Sequence, residues 1–321
     1  MAAAPERAPG ERAPGQRARR RGRAPLGSDR APRPGALYAL PAALFFLFFA
    51  VMPLVLVIVL SFTDWNAVGN PHFTGTDNWR RLFQSQDVLS STGRTFLLTV
   101  LCWAAQTVLA MTIGVWAAGQ QRNRAVLSSI FFIPLLLSAA AIALMWRSIL
   151  DPNFGLDAKV GQWVGKADGL DLLGSNHGAL ACIVLVVTWQ FVPFHSLLYQ
   201  AATRNIPQSL YDAATIDGAN RWGLFRNVTL PQLRNTIVTS STIMVVGSLT
   251  YFETVLLLTD GGPGGATRVL PYVMYRTGFT NYELGYASAI ASLLVLMGTA
   301  LSLLIVRFSG FSAMRSTLEG V

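Results

Sequence analysis

The sequence predicts an all-α, polytopic membrane protein with six transmembrane helices, and three observations carry that expectation. Of its 321 residues, 52% are hydrophobic and 13% charged, where an ordinary soluble domain carries roughly 25% charged residues. The mean hydropathy is +0.43. Six segments are each long and apolar enough to cross a bilayer, which takes about 20 residues of helix. The same composition excludes a soluble enzyme, a coiled coil and a disulfide-framed secreted module.

Residues 1–35 are a low-complexity run of Ala, Pro, Arg and Gly with too few bulky apolar side chains to offset the entropy of ordering. They are expected to be a disordered cytoplasmic tail ahead of a membrane domain over 36–310, with residues 311–321 a second short tail. The first uncharged run, 36–62, is about twice as long as the apolar core of a cleavable leader, so no signal peptide is expected. The remaining spans are 95–121, 125–146, 178–203 (neutral apart from His195), 235–252 extended by 255–258, and 284–306. Pro41, Pro53, Pro134 and Pro193 fall inside these runs. Neighbouring helices in a bundle satisfy the carbonyls that such prolines free.

Basic residues set the orientation. Seventeen of the 25 Lys and Arg lie in the first tail, the 120–124 turn, the 201–235 loop and the C-terminal stretch holding Arg307 and Arg315. The positive-inside rule places these segments, and therefore both termini, in the cytoplasm. The opposite loops, near 63–93, 149–177 and 259–283, hold most of the acidic residues and many turn signals, and are expected outside. A basic tail followed by apolar spans reflects membrane topology rather than nucleic-acid recognition. Cys102 and Cys182 sit inside apolar runs as small hydrophobes, and His72, His177 and His195 are too scattered for a metal site.

The loop over about 206–231 is the most informative segment. Ser209 followed by Asp212 reads as a capping box opening a helix over 209–218. Leu210, Ala213 and Ala214 share a face, and Gly218 stops the helix in a left-handed conformation. A second short helix with Trp222, Phe225 and Val228 on one side ends before Pro231. Such a pair either lies on lipid headgroups or forms a knob, narrow at its alanines, that enters a groove on a cytoplasmic partner.

Asp212-Ala213-Ala214, three residues, Gly218, nine residues, Val228, one residue and Leu230-Pro231 resemble the "EAA" loop of binding-protein-dependent ABC importer permeases. Asp212 stands where that pattern has Glu and Val228 where it has Ile. Other segments are similar to the sugar-type permeases related to the maltose and glycerol-3-phosphate importers. These are Ser61-Phe62-Thr63-Asp64-Trp65, Leu150-Asp151-Pro152-Asn153-Phe154-Gly155, Thr259-Asp260-Gly261-Gly262-Pro263 and Gly285-Tyr286-Ala287-Ser288-Ala289. The resemblance covers residues 37–310 and implies a permease domain whose cytoplasmic EAA loop, through Asp212, Ala213, Ala214, Asp217 and Gly218, couples to an ATPase.

It further implies a second homologous permease, two cytoplasmic ABC ATPase subunits that use ATP and Mg, and an extracytoplasmic solute-binding protein, all at a prokaryotic cell membrane. The chain itself would bind no cofactor and no metal. No phosphate-cradling GxxxxGK[ST], Ser/His/Asp set or paired-carboxylate site is present, so no enzymatic activity of its own is expected.

Polar groups inside spans are expensive and mark function by default. Glu253 is either an anchor at the outer interface or a lining of the solute path, next to Tyr251. Ser248 and Thr250 are positioned to bond back to their own helix. Gln190 and His195 flank the Pro193 break. In the maltose-type relatives the sugar site lies partly in spans four to six, which points to 248–253. Trp103, Trp116, Trp146 and Trp189 read as belts at the membrane interface. Importers of amino acids, polyamines or phosphate are the alternative within this class. An ion-coupled secondary transporter would need intramembrane charges, and Glu253 is the only one offered.

Overall fold

A computed structural model describes residues 36–119, 131–163, 165 and 170–308. Both expected tails, the 120–124 turn and the first part of the expected third span lie outside these residues. Of the described residues, those up to Val51 fall in one unit and those from Met52 in another; every contact below is within the second.

The apolar runs become helices because a backbone in lipid must satisfy its own polar groups. After a short 3-10 turn, α1 spans Leu40–Leu60. A two-stranded ribbon follows, β1 Thr63–Asp64 antiparallel to β2 His72–Phe73, then α2 Asp77–Gln84 and α3 Gln86–Ala117. Next come α4 Ile133–Leu136, α5 Ala139–Ile149, α6 Leu156–Trp163 and α7 Asn176–Arg204. The loop contains α8 Gln208–Ile216 and α9 Arg221–Leu224, which runs on through a π-type stretch Phe225–Thr229 and the turn Leu230–Gln232. The chain ends in α10 Arg234–Ser248, α11 Phe252–Leu258, α12 Leu270–Tyr275 and α13 Leu284–Phe308.

Among the described residues α1, α3, α7 and α13 are each long and apolar enough to span, and α10 with α11, bent by 50°, adds a fifth if the pair counts as one span, so four or five of the six expected spans are matched. The expected third span departs from a continuous helix. The chain turns extended at Leu137 and Ser138, where Ser138 Oγ accepts the Ala141 N–H and starts α5 afresh. Serine favours that cap over a helix interior. The bend in the fifth span also has a local cause. Ser248 Oγ donates to the Val245 carbonyl and Thr250 Oγ1 to the Gly247 carbonyl, and the last backbone bond tightens to Leu249 N–Val246 O. Hydroxyls that bond back in this way compete with the helical ladder.

Thr95, Thr99, Gln106, Gln190, His195, Ser196, Ser240 and Ser248 are buried alongside an apolar core, while Val108, Leu109, Leu296 and Leu303 are exposed. Large apolar side chains facing outward, with polar ones held inside, are what lipid as the surrounding solvent selects. Helices α3 and α7 lie close against each other at Gly114, where a Cβ would stand 2.5 Å from the Ser196 carbonyl oxygen. Trp146 and Trp189 pack edge to face at 5.6 Å beside the core, and Trp103 Nε1 donates to Ser241 Oγ. These three therefore join helices.

Two of the four loop motifs, Ser61–Trp65 and Gly285–Ala289, are joined to each other. The Gly285 N–H donates to the Trp65 carbonyl, and a Cβ on Gly285 would strike the Thr63 carbonyl. Asn78 Nδ2 donates to the Ser61 and Thr63 carbonyls, and Arg81 pairs with Glu283 at 2.8 Å while lying over the Tyr286 ring. Asp151 accepts the N–H groups of Asn153 and Phe154, which hold its carboxyl below the usual carboxylate range. The Tyr272 hydroxyl donates to the Asp260 carbonyl and carboxylate. Burial, the first cause, pushes that hydroxyl up from its ordinary range.

Candidate functional site

Two places carry chemistry that folding alone does not use. The first is the helix pair at the loop end. Helix α8 begins at Gln208 with Pro207 ahead of it and no side-chain cap, so the expected Ser209–Asp212 capping box does not form. Asp212 Oδ1 instead accepts from Gln208 Nε2 at 3.1 Å, an exposed pair one turn apart. The helix ends at Ile216, two residues short of the expected limit, and Gly218 is left-handed at φ +83° as expected. Gly218 N–H donates to the Thr215 carbonyl and Ala219 N–H to the Ala214 carbonyl, the paired bonds of a Schellman stop.

Asn220 Oδ1 then accepts the Gly223 N–H and opens α9. Pro231 does not end this segment. It sits in the turn Leu230–Gln232, which the chain enters directly from the π-type stretch. The Tyr211 hydroxyl meets Thr229 Oγ1 at 3.0 Å and ties α8 to the returning chain. Tyr211 and Ala214 are half-buried on that inner face, whereas Leu210 and Ala213 are exposed. The expected shared face of Leu210, Ala213 and Ala214 is thus divided. The outward stripe is Leu210, Ala213 and Ile216, with Ile216 86% exposed, and Trp222 beside it is 66% exposed and stacked on Phe225. Asp212 and Asp217 are exposed along its edges.

The second place is a cavity of about 600 Å³ between α4–α5, α7 and the bent α10–α11 span. Gln190, His195, Thr250, Tyr251 and Glu253, five of the six solute-path candidates, line it together. The sixth, Ser248, is buried elsewhere, its Oγ 2.7 Å from Thr99 Oγ1, which joins α10 to α3. Phe191, which the sequence reading passed over, stacks on Tyr251 at 5.7 Å and also lines the cavity. Its signal was its place in the turn around Pro193, where the helix lacks a backbone donor. His195 Nδ1 lies 2.9 Å from Ser240 Oγ. Gln190 is 5% exposed, and its Oε1 is buried with no hydrogen-bond partner among the described residues. Among the described residues no group of three or more His, Cys, Asp or Glu is placed to hold a metal ion.

Apolar spans around a largely apolar cavity that holds a few polar groups, with an exposed helical knob, define a multi-pass membrane component of a solute transport system. Residues 110–311 match the family described as binding-protein-dependent transport system inner membrane component, and the chain belongs to that family. A probable ABC transporter permease protein of Pyrococcus horikoshii is 30% identical over 267 residues, 81% of this chain and 90% of that one. The diacetylchitobiose uptake system permease protein of Streptomyces coelicolor is 29% identical over 86% of this chain and 82% of its own. A crystal structure of the bacterial alginate ABC transporter, in complex with alginate pentasaccharide-bound periplasmic protein, holds a chain similar in fold. Its TM-score is 0.72 at 24% identity, covering 87% of this chain and 94% of that one.

Proposed function

We propose that this chain is the permease subunit of an ATP-driven importer of a carbohydrate. It works with a second permease, two cytoplasmic ATPase subunits that bind ATP and Mg, and an extracytoplasmic binding protein. The observation that carries the reading is the cavity. An aromatic face, Phe191 on Tyr251, stands beside the amide of Gln190, the hydroxyl of Thr250 and the carboxylate of Glu253. Aromatic faces suit sugar rings, and hydroxyls and amides suit their rims. The diacetylchitobiose permease of Streptomyces supports the same substrate class.

In this reading the loop end is cytoplasmic, as are both tails, and 36–310 is the permease domain. The stripe of Leu210, Ala213 and Ile216, flanked by Asp212 and Asp217, docks on an ATPase subunit, and Gly218 fixes the angle at which Trp222 follows. Closing of the ATPase pair moves this knob and switches the spans between inward and outward access. The two states must differ in affinity for the solute, or no net uptake results.

The chain hydrolyses no ATP in this scheme. A tagged chain purified from its membrane in mild detergent is expected to bring down an ATPase subunit and a second permease, with ATP hydrolysis lost when the ATPase is stripped away. Recovery of the chain alone from membranes holding the whole system would contradict the assembly.

A further inference from the structure

We propose that α6 is an interfacial helix, lying along the bilayer surface with Leu156, Val160 and Trp163 turned into the lipid. The inference goes beyond the transport reading and does not depend on the solute carried. The position of α6 is fixed at both ends. A Cβ on Gly155, the residue before it, would strike the Ile149 carbonyl in the last turn of α5. Asp157 Oδ2 accepts the Leu172 N–H at 3.2 Å, and Leu172 and Leu173 pack on the core just ahead of the Ser175 cap of α7. Helix α6 is therefore held where α5 ends and the membrane-spanning α7 begins, at the end of α7 away from the α8–α9 loop.

Successive residues stand about 100° apart around a helix, and the eight residues of α6 divide into three sectors. Asp157, Ala158 and Gly161 form one and are buried. Leu156, Val160 and Trp163 form the second and are exposed, Trp163 at 89%. Lys159 and Gln162 form the third and are exposed as well. A helix with water along its whole outer side would carry polar residues across that side. Here the carboxylate turns inward and the bulkiest apolar side chains turn out. Protein, lipid and water meet at the end of a span, and a helix lying there needs one buried, one apolar and one polar face. Trp suits that depth because its ring is apolar and its N–H seeks water or headgroups. Lys159 makes no ion pair among the described residues, and its ammonium suits lipid phosphates. The adjoining helices already present exposed apolar side chains, Leu144 of α5 and Leu185 of α7, so lipid rather than a docking protein is the occupant the surface favours.

The test uses the complex purified with this chain, embedded without its binding protein in nanodiscs of phosphatidylethanolamine and phosphatidylglycerol. Lys159→Cys, Val160→Cys, Gln162→Cys and Trp163→Cys are each labelled with an environment-sensitive fluorophore. Cys102 and Cys182 are buried, and the unsubstituted complex gives the labelling background. Lipid carrying a nitroxide high on its acyl chain is expected to quench about threefold more strongly at 160 and 163 than at 159 and 162, and aqueous iodide to show the opposite order. If Trp163→Cys does not assemble, the contrast between Val160→Cys and Lys159→Cys decides. Iodide quenching at all four positions without lipid quenching overturns the inference, and shielding of 160 and 163 on adding the binding protein would then assign the stripe to protein docking. Protection of 160 and 163 from both quenchers overturns it too, because protein then covers the stripe. Equal lipid quenching at all four contradicts the three-sided placement.

Discussion

Ala213→Trp and Gly218→Val are each expected to leave the chain inserted in the membrane and to lower its retention of ATPase subunits at least tenfold. Ala213 is exposed between Leu210 and Ile216, so an indole there meets nothing in this chain and everything in a partner's groove. Gly218 acts differently. A Cβ there would meet nothing within 4 Å, so the penalty is backbone strain at φ +83° alone. For a β-branched residue that strain costs about 1–2 kcal/mol, enough to unwind the Schellman stop and turn Trp222 away from its present angle. A tenfold loss of affinity corresponds to about 1.4 kcal/mol.

Gly218→Asn is the control and should retain the partner, because Asn enters the left-handed region readily. Asp212→Ala should be mild, since it removes a single exposed contact to Gln208 worth about 0.2–0.5 kcal/mol. Insertion is read with an impermeant thiol reagent on intact cells. A cysteine at Asn281 should label and one at Ile216 should not, in the wild-type background and in both variants. Labelling at Ile216 would contradict the cytoplasmic placement of the knob. Normal retention of ATPase by both bulky variants would reduce it to a surface helix pair.

Gly114→Val is expected to have the largest effect on the bundle itself. A Cβ at 114 would lie 2.5 Å from the Ser196 carbonyl oxygen and 2.7 Å from Tyr199 Cβ, so α3 and α7 must separate to admit any side chain. Overpacking of this kind typically costs about 1–3 kcal/mol, and more where backbone must move. The roughly 1 kcal/mol that a helix gains on replacing glycine with alanine does not offset it even for Gly114→Ala. On the same helix Gly93 is exposed, and a Cβ there would meet nothing within 4 Å. Gly93→Ala should therefore be neutral or stabilising. Thermal unfolding of the detergent-solubilised chain separates the two, with a shift of about 2–4 °C per kcal/mol for a protein of this size class. Equal melting of Gly114→Val and wild type would show that the two helices are not held in contact there.

Four of the six expected spans, and a fifth as a bent pair, were legible in the sequence because lipid imposes one rule on every residue they contain, and the left-handed Gly218 was legible because few other residues tolerate that conformation. Helix limits were less so. Helix α3 starts at Gln86 and carries Asp87 and Arg94 in its first turns, so an uncharged run marks the lipid-crossing part and not the helix. The caps that open α3, α7 and α9, namely Ser85, Ser175 and Asn220, were hidden among other polar loop residues. Ser209 looked equally suitable, but Pro207 already starts α8 one residue earlier. The bend near Leu249 arises from two side-chain bonds to the backbone, and no periodicity in the sequence records such a contest. Candidate cavity residues could be selected because polar groups are rare in spans. That Ser248 turns to Thr99 while Thr250 and Glu253 turn to the cavity follows from the bend, which only the structure reveals.

ATP-driven uptake tests the account most directly. The complex purified with this chain is reconstituted in liposomes, its binding protein is added outside, and accumulation of radiolabelled neutral disaccharides is followed with ATP inside. Accumulation above the external concentration is expected only with internal ATP, and it should disappear with Gly218→Val. Accumulation driven by a proton or sodium gradient without ATP would contradict the account, as would ATP-driven uptake of an amino acid, polyamine or phosphate with no uptake of any saccharide.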